Sequence, residues 1–154
     1  MQTLTIGDIA PDFSLQNQHD QTIQLTELLK TQQVLLYFYP KAMTPGCTVQ
    51  ACALRDHHSE FEAKGVAVVG ISTDQVKSLA KFALRDQLNF TLLADPEHQV
   101  AEAFGVWGEK KFMGKVYDGI HRTSFLIGTD GLIKQVYQSF KTSNHHEVVL
   151  KSLP

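Results

Sequence analysis

The chain has 154 residues, 43% hydrophobic and 19% charged, with 14 basic and 16 acidic side chains giving a formal net charge of −2. That size suits a single domain over residues 1–154, the charge gives nucleic acid no electrostatic footing, and no run of about 18 apolar residues could cross a bilayer. The opening MQTLTIGDIAPDF has no basic region followed by an apolar stretch and is not an Arg-rich leader, so a cytoplasmic location is expected. From the N-terminus, residues 13–15 and 22–25 alternate around Asn17-Gln18-His19-Asp20 and predict a β-hairpin. Thr26 and Glu27 open a short helix. Residues 34–39, VLLYFY, form an almost wholly apolar run, as expected of a central strand covered on both faces.

A helix is predicted to start near Thr44 and run to about Lys64, stopping at Gly65, and residues 66–72 read as the next buried strand. Strand, helix, strand implies parallel pairing through a right-handed crossover. The start of that helix then lies beyond the carboxyl end of a central strand, where open α/β sheets place their ligand sites. Val76, Leu79, Ala80, Ala83 and Leu84 give a helical stripe, followed by a short strand at 91–93 and a helix at about 98–104. Residues 105–121 read as a long connection carrying Trp107. It is either functional or a cover for the core through Trp107 and Phe112. Residues 124–127 and 133–137 flank Thr129-Asp130-Gly131, a hairpin signal, and Asn144 with Glu147 has the form of a capping box for a last helix.

The chemistry concentrates in YFYPKAMTPGCTVQACALRD, residues 37–56. Thr44 can cap, Pro45 suits the first helical position and Gly46 lets another molecule approach the backbone. Cys47 therefore falls in a first turn, where free N–H groups and the positive end of the helix dipole stabilise a thiolate. The simpler alternative, that Cys47 and Cys52 pack as small hydrophobes, does not account for the Thr-Pro-Gly helix start. Seven histidines raise a metal site, but His57-His58 and His145-His146 are adjacent pairs without the i, i+4 spacing that puts two ligands on one helix face. They read as surface histidines, and no metal or other cofactor is expected.

These residues carry a resemblance. Pro40, Thr44 and Cys47 fit the Pro-x-x-x-Thr-x-x-Cys motif of the peroxiredoxins. Thr44-Pro45-Gly46-Cys47-Thr48, Cys52 and Leu54-Arg55-Asp56 are similar to the bacterioferritin comigratory protein, or peroxiredoxin Q, group. The opening Gly7-Asp8-Ile9-Ala10-Pro11-Asp12-Phe13-Ser14-Leu15 and the distal Gly119-Ile120-His121-Arg122-Thr123-Ser124-Phe125-Leu126-Ile127 also resemble it. The resemblance implies an α/β thioredoxin-like fold, with an N-terminal β-hairpin extension and a central mixed sheet flanked by helices. It further implies a peroxidase acting on hydrogen peroxide and organic hydroperoxides, with Cys47 attacking a peroxide oxygen to become a sulfenic acid.

On the same resemblance Cys52 is the resolving thiol, forming a Cys47–Cys52 disulfide that thioredoxin reduces, and the protein is largely monomeric. Thr44 and the backbone N–H groups of Gly46 and Cys47 are expected to hold the peroxide. Thr44 could instead serve only as a cap. Pro40 would shape the pocket, though ending a strand is role enough for it. The sequence alone does not choose among Arg55, Arg85 and Arg122 as the cation near sulfur; the family pattern selects Arg122. Arg55 then reads as a local partner of Asp56, and Arg85 as a solvated helix residue. Five helical residues separate Cα atoms by about 8.6 Å, beyond the roughly 7 Å a disulfide spans, so the bridge requires local unwinding. Gly128 stands where relatives commonly carry Asp, and the chain ends somewhat early. Two alternatives remain: a thiol-disulfide oxidoreductase, which the Cys-x-x-x-x-Cys spacing disfavours, and a non-catalytic redox sensor.

Overall fold

The computed structural model describes residues 1–154 throughout. Seven strands make one mixed sheet in the order β2-β1-β5-β4-β3-β8-β9. The strands are β1 (Ser14–Asn17), β2 (Thr22–Gln24), β3 (Gln33–Phe38), β4 (Val66–Ser72), β5 (Thr91–Ala94), β8 (Thr123–Ile127) and β9 (Ile133–Tyr137). The central β3, β4 and β5 are parallel; β8 runs antiparallel to β3, β9 to β8, and the β1–β2 hairpin extends the sheet antiparallel to β5. The N-terminal hairpin and the mixed sheet are those the sequence predicts.

Alternation along β3 divides the core. Leu35, Tyr37 and, just past the strand, Tyr39 face one cluster, whereas Val34, Leu36 and Phe38 face another. The first face is covered by α2 (Pro45–Asp56), α3 (His58–Ala63), α4 (Val76–Arg85) and α6 (His145–Ser152), through Ala51, Leu54, Phe61, Leu79, Phe82 and Val149. The second is covered by α1 (Leu25–Leu28) and α5 (Gln99–Ala103), through Leu25, Val100 and Ala101. A sheet buried on both sides explains why β3 carries no charged or amide side chain between Val34 and Phe38.

Several expectations need correction. The helix predicted to reach Lys64 is broken at His57, whose φ of −108° and ψ of 15° leave helical geometry, and whose Nδ1 bonds the Ala53 carbonyl at 2.9 Å. The stretch 105–121 is a second, two-stranded sheet, β6 (Trp107–Phe112) with β7 (Lys115–Ile120). Its two-residue turn uses Met113 and Gly114, both at positive φ, which matches the twist of a hairpin. Trp107 does pack inward, stacking on His98 with ring centroids 4.0 Å apart, but Phe112 is exposed. Leu84 points to solvent, and Phe82 fills the buried position on α4.

The Asn144 capping box does not form. The Asn144 side chain accepts the Lys141 N–H at 2.8 Å and makes no cap bond to α6. At Gly128, the space a side chain would fill is taken by the stem of Lys134, whose ammonium pairs with Asp130 at 2.6 Å. That pairing gives the β8–β9 hairpin its own closure in the absence of an aspartate at position 128. No helix is long and apolar enough to cross a membrane.

Candidate active site

β3 ends at Phe38, and residues 39–44 turn the chain into α2. Asp74, just beyond β4, holds that turn: its carboxylate accepts the Ala42 N–H at 2.7 Å and the Ser72 hydroxyl at 2.7 Å. Met43 takes a positive φ of 66°, turning the chain so that Thr44 enters α2 at its N-cap and Pro45 follows at the start of the helix. Cys47, in that first turn, is buried, with 1% of its surface exposed. First-turn N–H groups have no intrahelical acceptor, so those of Gly46 and Cys47 are free to meet negative charge.

Thr44 does not cap through its side chain. Its hydroxyl donates back to the Lys41 carbonyl at 2.9 Å, which commits its proton and leaves its oxygen as an acceptor. Pro40 is half-buried at the turn between β3 and α2.

Of the three arginines, Arg122 is the one beside the sulfur. It lies between β7 and β8, and β8 pairs with β3, so strand pairing brings it across to the start of α2. Its Nη2 donates to Cys47 Sγ at 3.3 Å and its Nη1 to Gln50 Oε1 at 3.0 Å. Gln50 lies one turn after Cys47 on the same face and aims the guanidinium. Gly46 makes the approach possible, because a Cβ there would sit 3.1 Å from Arg122 Nη2. Arg55 pairs with Asp56 at 3.0 Å, as the sequence suggests. Arg85 is not simply solvated: its Nη2 donates to Thr48 Oγ1 at 2.9 Å and to Asp86 Oδ2 at 2.8 Å.

Cys52 is half-buried, five positions along the same continuous helix, and both cysteines are free thiols. The reduced chain therefore holds them in the geometry that forbids a direct bridge.

Sequence reasoning missed the groups behind the cysteine. Tyr37 and His145 pack with ring centroids 5.9 Å apart, and Ser124 Oγ and His145 Nε2 are hydrogen-bonded at 2.7 Å. Burial, aided by the charges of His146 and Arg122, pushes the His145 imidazole down to about 3, so it is neutral near neutral pH. Burial pushes the Tyr37 phenol well up, which keeps it protonated. The wall behind Cys47 is thus polar but uncharged, and Arg122 supplies the positive potential. Lys110, on β6, donates to the Ile120 carbonyl at 2.9 Å; burial, and then the nearby Arg122 charge, lower its pKa.

His145 and His146 are buried, not surface residues, which corrects the sequence reading. His146 packs against His57 with ring centroids 4.3 Å apart and planes tilted by 35°. No group of three or more His, Cys, Asp or Glu side chains is arranged to hold a metal ion. The signal available in sequence for the missed residues was positional: Gln50 lies three residues from Cys47, and Ser124 lies two residues from Arg122.

Comparison with known proteins identifies the family. The model of the AhpC/TSA family matches residues 6–136. The chain is 61% identical over 153 residues to Peroxiredoxin Bcp of Escherichia coli K12, covering 99% of this chain and 97% of that protein. It is 42% identical over 151 residues to Peroxiredoxin Bcp of Bacillus subtilis, covering 98% and 96%. Among solved structures it is similar to peroxidoxin BcpB of Mycobacterium tuberculosis, with a TM-score of 0.86, 40% identity and coverage of 96% and 95%. The bacterioferritin comigratory protein of Xanthomonas campestris, described for its alkyl peroxide reduction activity, matches with a TM-score of 0.87, 28% identity and coverage of 97% and 96%. These relatives favour neither the thiol-disulfide oxidoreductase nor the sensor. With a thioredoxin-like mixed sheet and a buried cysteine met by an arginine at a helix start, the chain belongs to the AhpC/TSA family as a peroxiredoxin of the Bcp group, a thiol peroxidase.

Proposed function

We propose that Cys47 is the peroxidatic nucleophile, that Cys52 resolves it, and that thioredoxin returns the pair to thiols in the cytoplasm. The observation that carries this reading is the 3.3 Å contact from Arg122 Nη2 to a buried Cys47 Sγ at the start of α2. The thiolate attacks one peroxide oxygen; the S–O bond forms as the O–O bond breaks. The leaving oxygen takes a proton and departs as water or an alcohol, leaving Cys47 as a sulfenic acid. Arg122 and the Gly46 and Cys47 N–H groups meet the charge that spreads over the two oxygens. Thr44, its own proton held by Lys41, accepts the hydrogen bond of the peroxide O–H and so orients it. Pro40 limits water at the sulfur.

Cys52 then attacks the oxidised sulfur. The S–S bond forms, the S–OH bond breaks, and hydroxide leaves with the Cys52 proton as water. A thioredoxin dithiol supplies the two electrons that reopen the bridge. All the named groups come from one chain, so a monomer suffices. Hydrogen peroxide and bulkier hydroperoxides are both substrates of this scheme.

NADPH consumption with thioredoxin and thioredoxin reductase tests it. Cys47→Ser is expected to abolish turnover, because a hydroxyl is not ionised near neutral pH. Cys52→Ser is expected to react once with peroxide and to yield a sulfenic-acid adduct at Cys47. Turnover largely retained in Cys47→Ser, or no adduct in Cys52→Ser, overturns the respective assignment.

A further inference from the structure

α2 is fastened at its front from two sides. On the inner side Arg122 holds Cys47 and Gln50. On the outer side Arg85, the last residue of α4, holds Thr48, the residue immediately after Cys47. The Arg85 guanidinium is itself fixed, with Nε and Nη2 both donating to Asp86 Oδ2 at 3.0 and 2.8 Å and the guanidinium carbon 5.9 Å from the Phe82 ring centroid. Further along, Arg55 Nη1 donates to the Asp86 carbonyl at 2.6 Å, and Asn89 Nδ2 to the Arg55 carbonyl at 3.2 Å. Thr48, Cys52 and Arg55 follow i, i+4, i+7 spacing, so Cys52 sits on the helix row between the two fastenings.

The fastenings differ in what unwinding does to them. Bringing Cys47 to Cys52 must open the helix between them, and Thr48 lies inside that stretch; Arg55 lies beyond Cys52 and can stay folded. The Arg85–Thr48 bond therefore must break before the disulfide closes, yet it touches neither sulfur.

We propose that Arg85 is a positioning residue for the second half of the cycle, a latch that sets how much Cys47 sulfenic acid closes to the disulfide and how much a second peroxide carries on to the sulfinic acid. The inference rests on the reading of Cys52 as the resolving thiol. In the competing step the sulfenate attacks another peroxide, a second S–O bond forms, the O–O bond breaks, and water or an alcohol leaves. The longer the latch holds the helix closed, the longer the sulfenic acid stays exposed to that step.

The test is made on the full chain with Arg85→Ala, Thr48→Val and the double variant. Stopped-flow mixing gives the rates of peroxide attack and of disulfide closure, and intact mass after turnover gives the fraction of sulfinate against peroxide concentration. Each single variant is expected to leave the attack rate unchanged and to speed closure about two- to five-fold, the effect of losing one solvent-screened, charge-assisted bond. The peroxide concentration giving half sulfinate should rise by the same factor. The double variant should do no more than either single one, because both remove the same bond. Unchanged closure in both single variants, or fully additive effects in the double, overturns the latch. If the wild type gives no Cys47–Cys52 disulfide after one equivalent of peroxide, the resolving assignment falls, and the latch with it.

Discussion

Arg122 reaches Cys47 from 75 positions away in the chain, and two of its nitrogens divide the work. Nη1 is spent on Gln50, which fixes the plane of the guanidinium and leaves Nη2 directed at sulfur. Arg122→Ala should therefore slow the reaction with peroxide by about a hundred- to a thousand-fold, the range for a single donor to a developing anion, while the fold survives. Gly46→Ala offers a check from the other side: its new Cβ, 3.1 Å from Nη2, would displace the cation without deleting it, and a smaller slowing is expected. Stopped-flow rates measure both. An Arg122→Ala rate equal to wild type would remove Arg122 from the mechanism. At this scale the placement of Gly46 and Cys47 in the first turn of a helix is legible in sequence, because a helix start is a local pattern, whereas the side-chain cap expected of Thr44 does not form. Arg122 needed a family resemblance; Gln50 offered only its nearness to Cys47 in sequence, and His145, Asp74 and the Arg85–Thr48 bond could not be read, because each acquires its partner only through tertiary packing.

Within α2, both cysteines lie on one uninterrupted stretch from Pro45 to Asp56. Since helical spacing separates them by about 8.6 Å, the reduced form should protect its amides while the disulfide form loses protection across about residues 44–55. Hydrogen exchange on the two redox states measures this, and equal protection beside a proven disulfide would refute unwinding. The break at His57 is well placed for such a change, since α3 can keep Phe61 in the core while α2 opens ahead of it. Strands and buried helices were legible from periodicity. The β6–β7 hairpin was not: its residues from Lys111 to Asp118 are exposed on both faces, so the strand-defining alternation is missing there. The end of α2 was misread because nothing in Asp56-His57-His58 marks a stop; the break is a matter of His57 backbone geometry and its ring bond to Ala53.

Across the whole molecule, the sheet separates two cores, and the chemistry lies on the side of α2, α4 and α6. His145 links that side to global stability. Unfolded, its imidazole titrates near its ordinary value of about 6.5; folded, it resists protonation down to about 3. Between those values the unfolded chain binds one more proton, so this residue's contribution to stability is present above about pH 6.5 and is lost as pH falls. His145→Gln can keep a bond to Ser124 but does not titrate. The stability difference, wild type minus variant, should fall by about 1.4 kcal/mol per pH unit between roughly pH 6 and pH 4. Urea midpoints at a series of pH values test it, and a difference independent of pH would exclude His145 as the cause.

The antiparallel pairing of β8 with β3 has a consequence for synthesis. β3 and α2 emerge from the ribosome early, with the cysteine already in the chain, but Arg122 and the strand that carries it come some seventy-five residues later. A nascent chain that has not yet docked β8 holds a cysteine at a helix start without its cation. If Arg122 activates the thiol as proposed, reactivity toward peroxide rises only once β8 has docked on β3, and an unfinished chain carries a less reactive cysteine.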